Sequence, residues 1–229
     1  MKPSITSFAA KVMWRFASVL TLLVVAAVAA APATTAPELT RLVERLQDHY
    51  QATASFTAKF TETLEGPGTP PRARSGQVSY RKPGRIRWEF AAPQPETIVA
   101  DGTTLFDYDP GLNQVLEMPL KNAFKGRTAV AFILGVGNLR RDFAVAVAAS
   151  SSDDGLTHLA VSPKDGRDKI ELGLDTKTMN IVKLRVIDGL GNSTTLQFSA
   201  ITRNVAIDGA QFKFVTPQGA DIVNAAGAQ

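Results

Sequence analysis

The hydrophobic positions of this chain follow two different periods. Leu39, Leu42, Val43, Leu46 and Tyr50 recur at steps of three and four, which aligns them on one side of a helix. Thr35 and Glu38 ahead of them have the spacing of a capping box, and Pro37 sits in the first turn. A helix over residues 37–51, lying on an apolar surface, is predicted. From Phe56 the period becomes two. Phe56, Ala58 and Phe60 alternate with Thr57, Lys59 and Thr61, and Ile86, Trp88 and Phe90 alternate with Arg85, Arg87 and Glu89. Such alternation sends one set of side chains to each side of a sheet.

Turn residues divide the rest. Gly66-Pro67-Gly68-Thr69-Pro70-Pro71 is expected to be a flexible loop, followed by a strand over 76–80 and a Lys82-Pro83-Gly84 turn. Strands are predicted at 98–100, 103–108 and 113–118, then at 143–149, 156–162, 169–174, 181–188, 193–203 and 211–214. Residues after Ile222 are small and polar and are expected to be loose. About ten or eleven short strands, mostly neighbours in sequence, give a mainly β chain with a few helices, built on one antiparallel sheet that is strongly curved or barrel-like. Between the two strand runs, Thr128 caps a short helix through Val130, Phe132, Ile133 and Leu134, with Gly135 as its stop. A helix this apolar must be buried or must cover an apolar opening.

Composition changes the picture at the N-terminus. Lys2, Lys11 and Arg15 precede an uncharged run from Phe16 to Ala31 that ends in small residues. The run is shorter than the roughly 20 residues that cross a bilayer comfortably. Residues 1–30 are expected to be a cleaved signal peptide and 31–229 a single domain. The chain has 25 Lys and Arg against 21 Asp and Glu; losing those three cations leaves 22 against 21. A nucleic-acid binder needs a concentrated basic excess, which the mature part does not have. There is no cysteine, so disulfides, thiolate chemistry, Cys-ligated metals and a Cys-anchored lipid are all excluded.

Candidate chemistry is sparse. His49 and His158 stand in separate elements, no Gly-x-Ser-x-Gly elbow appears, and no grouping has metal-ligand spacing. Asp107 and Asp109 with Glu117 offer paired carboxylates, but Asp109-Pro110-Gly111 reads as a turn. Arg85 and Arg87, beside Arg81 and Lys82, read as the solvent side of an alternating strand. No catalytic residue, cofactor or metal is expected.

Several segments, in order, resemble the outer-membrane lipoprotein carrier (LolA) family. They are the first helix with Ser55-Phe56-Thr57-Ala58-Lys59-Phe60; Gly76-Gln77-Val78-Ser79-Tyr80-Arg81-Lys82-Pro83; Arg87-Trp88-Glu89-Phe90 with Pro93; and Val99 through Pro110. The Thr128-capped helix, Asp188 with Gly191-Asn192, Phe212-Lys213-Phe214 and Pro217-Gln218-Gly219 complete the match. The resemblance implies an unclosed antiparallel β-barrel of about eleven strands with a helical lid. It also implies a monomeric periplasmic shuttle for acylated lipoproteins, loaded by an inner-membrane lipoprotein-releasing ABC transporter and unloaded by an outer-membrane receptor. The family carries an Arg that helps close the lid at the position of Lys82. Lys lacks the planar fork of Arg, so a latch at Lys82, with Arg81 beside it, departs from the pattern.

The residues point the same way on one matter. Ile86, Trp88, Phe90, Leu105, Leu116, Leu172, Leu184, Val186, Leu196 and Phe198 supply one apolar face. The Leu39-Leu42-Leu46 and Phe132-Ile133-Leu134 helices can plug it. With Phe60 and Val130, these form the expected lipid site: Leu39, Leu42, Leu46, Phe60, Ile86, Trp88, Phe90, Leu105, Val130, Phe132, Ile133, Leu134, Leu184 and Phe198. The residues alone leave a filled core open as the alternative, and a carrier or sensor of another lipid or glycolipid shares every feature named.

Overall fold

The computed structural model describes residues 35–123, 138–148, 154–164 and 169–225. The expected leader and the expected helix carrying Val130, Phe132, Ile133 and Leu134 lie outside the described residues. What is described falls within one compact unit, Thr34–Gln229.

Helix α1 (Ala36–Ala52) begins where the capping residues place it. Glu38 Oε2 accepts the Thr35 backbone N–H at 2.8 Å and the Thr35 hydroxyl at 2.9 Å. That satisfies a donor the first helical turn cannot. The stripe read from the sequence is the side that faces the sheet: Val43, Leu46 and Tyr50 are buried, and Leu39 and Leu42 pack at its border.

Six strands follow as a meander: β1 (Ser55–Gly66), β2 (Thr69–Arg81), β3 (Arg85–Phe90), β4 (Glu96–Asp101), β5 (Thr104–Asp109) and β6 (Gln114–Pro119). Among the described residues, two short helices come next, α2 (Leu120–Ala123) and α3 (Leu139–Asp142). A second meander runs through β7 (Phe143–Val147), β8 (Thr157–Pro163), β9 (Lys169–Asp175), β10 (Asn180–Ile187) and β11 (Ser193–Arg203). A short last strand, β12 (Asp221–Asn224), ends the described chain. The two wings join where β11 pairs antiparallel with β1. The sheet has twelve strands in the order β12-β6-β5-β4-β3-β2-β1-β11-β10-β9-β8-β7. Its two ends, β12 and β7, remain edges, so the barrel is open.

Three local expectations need correction. The Gly/Pro stretch is a tight hairpin: β1 reaches Gly66, and β2 restarts at Thr69. Pro70 and Pro71 fit because they fall where the β1–β2 register shifts, between Leu64–Arg72 and Gly66–Thr69, and because β3 pairs with β2 only from Gly76 onward; neither side then asks them for a ladder N–H. Residues 211–214 do not form a strand. Gly209–Phe212 is a 3-10 turn in a segment that straps the outer side of the first wing. Of the residues expected to be loose, Val223 and Asn224 belong to β12, which pairs parallel with β6 and is the twelfth strand; those after residue 225 lie outside the described residues.

The strap is held from below. Arg81 Nη1 donates to Ile207 O at 2.7 Å, and Asn113 Nδ2 donates to Gly219 O at 2.8 Å. Phe214 stacks on Phe106, centroids 5.0 Å apart and planes 13° from parallel. Phe212 is buried, as are Val99 and Val115 on the sheet. The first wing is therefore apolar on both sides. At Gly76 there is no room for a side chain: a Cβ there would stand 1.9 Å from Glu89 O and 2.8 Å from the Phe60 ring. Only glycine permits that approach.

Candidate functional site

Cross-strand register decides which side chains share a face, because directly opposed residues point the same way. Val78 opposes Trp88, Trp88 opposes Ile98, and Ile98 opposes Asp107. Phe60 opposes both Gly76 and Phe198, and Leu196 opposes Leu184, which opposes Leu172. These residues form the inner face, the one α1 covers.

Of the residues expected at the site, Leu46, Phe60, Ile86, Phe90 and Leu184 are buried in one continuous cluster, and Leu39, Leu42, Trp88, Leu105 and Phe198 pack partly buried against it. The structure thus brings together all ten that it describes. Aromatic rings concentrate around Trp88, with centroids 4.7 Å from Phe60, 6.2 Å from Phe198 and 6.5 Å from Phe90. Offset and edge-on contacts of this kind add to area burial.

A β-bulge extends the face. Between Thr57–Thr202 and Lys59–Ser199 the register shifts, and Ala200 takes φ +50. One residue of β1 then faces two of β11. The bulge brings Ile201 and Arg203 onto the side already occupied by Leu196 and Phe198, a change of phase that simple alternation does not reveal. Beside it, Tyr50, Phe56, Ala58, Ile181, Phe198 and Ile201 line an apolar cleft of about 20 Å³. That is room for about one water molecule, not for an acyl chain. Two larger clefts, of about 440 and 540 Å³, have mixed polar walls that include Arg87 and Glu89 in one and Arg72 and Arg74 in the other.

Helix α1 is tied down near its C-terminus. Lys82 Nζ donates to Tyr50 O at 3.0 Å and to Gln51 O at 2.8 Å. A cation there meets carbonyls at the negative end of the helix, where Tyr50 O also accepts the Thr53 N–H at 3.3 Å. Burial lowers the Lys82 pKa below the usual ammonium value. The Tyr50 hydroxyl accepts the Ile181 N–H at 3.0 Å, and Gln47 Oε1 accepts the Leu139 N–H at 2.8 Å. Burial pushes the Tyr50 phenol up to about 12. Arg81, next to Lys82, points to the opposite side of the sheet and holds the strap, so the two neighbours fasten different elements. His49 hydrogen-bonds Asn180 at 3.1 Å and belongs to the α1 attachment.

Sequence reading missed a charged group inside this face. Glu62, Arg74, Glu96 and Asp107 all occupy inward positions of their strands, in phase with Phe60, Gly76, Ile98 and Leu105. Glu62 Oε2 accepts Arg74 Nε at 2.8 Å and Nη2 at 2.6 Å, and Arg74 also pairs with Glu96. The guanidinium lies 3.9 Å from the centroid of Phe90. Burial first, then the charge and hydrogen bond of Glu96, push the Asp107 carboxyl up to about 6. The readable signal was a polar residue in the apolar phase. Asp109, by contrast, builds its turn by accepting the Gly111 N–H at 2.7 Å, and Glu117 opposes Phe106 on the outer side.

Comparison with known proteins fits this architecture. Residues 51–215 match the family described as outer membrane lipoprotein carrier protein LolA. The chain is 32% identical over 185 residues to the outer-membrane lipoprotein carrier protein of Methylobacillus flagellatus, covering 79% of this chain and 88% of that one. It is 32% identical over 212 residues to the same-named protein of Bordetella pertussis, covering 91% and 97%. Among solved structures, an uncharacterized conserved protein from Thermus thermophilus superposes with a TM-score of 0.52 at 13% identity, covering 81% of this chain and 98% of its own. That likeness concerns the fold alone.

Proposed function

The chain belongs to the LolA family of outer membrane lipoprotein carrier proteins, and from that premise we propose that it is a non-enzymatic periplasmic carrier that shelters the acyl chains of lipoproteins on its inner face. The observation that carries this reading is the continuous apolar cluster on that face, covered by a helix fastened at one end. Each methylene removed from water contributes roughly 0.8 kcal/mol, and this contribution is non-directional. A greasy face therefore accepts many acylated proteins without reading their sequences.

The narrow apolar cleft corresponds to the closed form. Cargo enters when α1, held through Lys82, and the lid assigned on sequence to Val130, Phe132, Ile133 and Leu134 move off the sheet. Closing again keeps apolar surface from water when no cargo is bound. The finer assignment follows the family. Residues 1–30 are a signal peptide and the remainder is one carrier domain. It works as a monomer, receives cargo from an inner-membrane lipoprotein-releasing ABC transporter and delivers it to an outer-membrane receptor.

Mass spectrometry of material co-purifying from the periplasm of cells depleted of the receptor tests the proposal. Triacylated protein bound to the carrier is the expected result. Protein-free lipid or glycolipid in its place would reassign the cargo, and the absence of both would overturn the carrier reading.

A further inference from the structure

Among the described residues, one buried polar side-chain atom on the apolar face has no partner. Trp88 Nε1 is buried and meets no hydrogen-bond acceptor. Its ring is hemmed in by Phe60 and Phe198 and flanked across the register by Val78 and Ile98. An unmade buried N–H opposes folding, and an apolar ring of similar shape would avoid that cost. An acyl chain brings the complementary difficulty. It is apolar except for the carbonyl at its linked end, which must also give up water when drawn against this face. Three cationic donors on the same side are already engaged: Arg74 by Glu62 and Glu96, Lys82 by the carbonyls of α1, and Arg203 by the Thr53 hydroxyl, to which its Nη1 donates at 3.1 Å.

We propose that the Trp88 indole N–H donates a hydrogen bond to the carbonyl oxygen of a bound acyl ester or amide, so that Trp88 sets how far along the inner face an acyl chain lies. The inference rests on the lipid-carrier reading and adds a directional contact to an otherwise non-directional site. It gives the face a preference for acyl chains over plain alkyl chains of equal length.

The test uses the full mature chain and two ligands that differ only at that oxygen: palmitoyl lysophosphatidylcholine and its hexadecyl ether analogue, each competing against a fluorescent fatty-acyl probe. The wild-type protein is expected to bind the ester about five- to ten-fold more tightly. Trp88→Phe is expected to bring the ratio close to one while any lost packing weakens both ligands alike. An unchanged ratio in the folded variant overturns the proposal. Failure of the wild-type protein to bind either ligand instead removes the carrier reading, and this inference with it. Should Trp88→Phe not fold, the wild-type protein still decides the matter. The infrared band of the ¹³C-labelled ester carbonyl in the bound ligand must lie below that of the same ester in dry hexane, where no donor meets it, and a bound band at the hexane position refutes the contact.

Discussion

Asp107 shows what a single polar residue does at an inward position. Its carboxyl lies on the apolar side, against Glu96 and near Asp109, with the Arg74 guanidinium opposing their effect. The folded value is raised from 3.8 to about 6, so between those values the folded chain holds a proton that the unfolded chain has released. Its contribution to stability therefore grows as pH falls through about 6 and is complete below 3.8. That displacement corresponds to an upper bound of about 3 kcal/mol, which solvent screening of a partly exposed group reduces to on the order of 1 kcal/mol. Asp107→Asn is accordingly expected to be more stable than the wild type by that amount at about pH 7.5 and equal to it near pH 4. Denaturant titrations at the two pH values check this, and parallel pH profiles would place the proton elsewhere.

Among the elements, α1 and its fastening set the behaviour of the site. Replacing Lys82 by Met removes both hydrogen bonds to the last turn of the helix, a loss of about 1 kcal/mol. The expected result is a small drop in thermal midpoint and several-fold faster exchange of a bound fluorescent acyl probe. Lys82→Arg, which restores a donor able to reach two carbonyls, is expected to return exchange to the wild-type rate. Equal exchange in all three proteins would mean that α1 does not gate the face. The elements also show what sequence can and cannot convey. α1 was legible because its cap and its stripe are local. β3 and β11 were legible because their alternation or turn boundaries lie within a few residues. The length of β2 was not, since Pro70 and Pro71 argue against a strand unless one knows that β3 ends opposite Gly76 and leaves that stretch of β2 unpaired on one side. The inner face was legible as a set of residues, yet the Glu62–Arg74–Glu96–Asp107 group was not, because its members come from four strands and meet only through register. The shift at Ala200 was hidden for the same reason.

For the molecule as a whole, the two sides of the first wing do separate work. The inner face carries the proposed cargo, and the outer face is closed by the strap through Phe212, Phe214 and Arg81. Phe212→Ala, which empties a fully buried position, is expected to destabilise the fold by about 3–5 kcal/mol while leaving acyl-probe affinity unchanged in the molecules that remain folded. Calorimetry alongside probe titration separates the two effects, and a parallel fall in affinity would show that the faces are coupled.

The strap also dictates an order of assembly. β2 through β5 pair only with their neighbours in sequence, so that meander can form while the chain is still emerging. Its outer valines and Phe106 nevertheless stay bare until the last segment arrives, and β1 waits on one flank for β11, where Lys59 meets Ser199. Such distant closures are slow and leave sticky intermediates. A chain interrupted shortly before its end would keep nearly every strand and still be prone to aggregate.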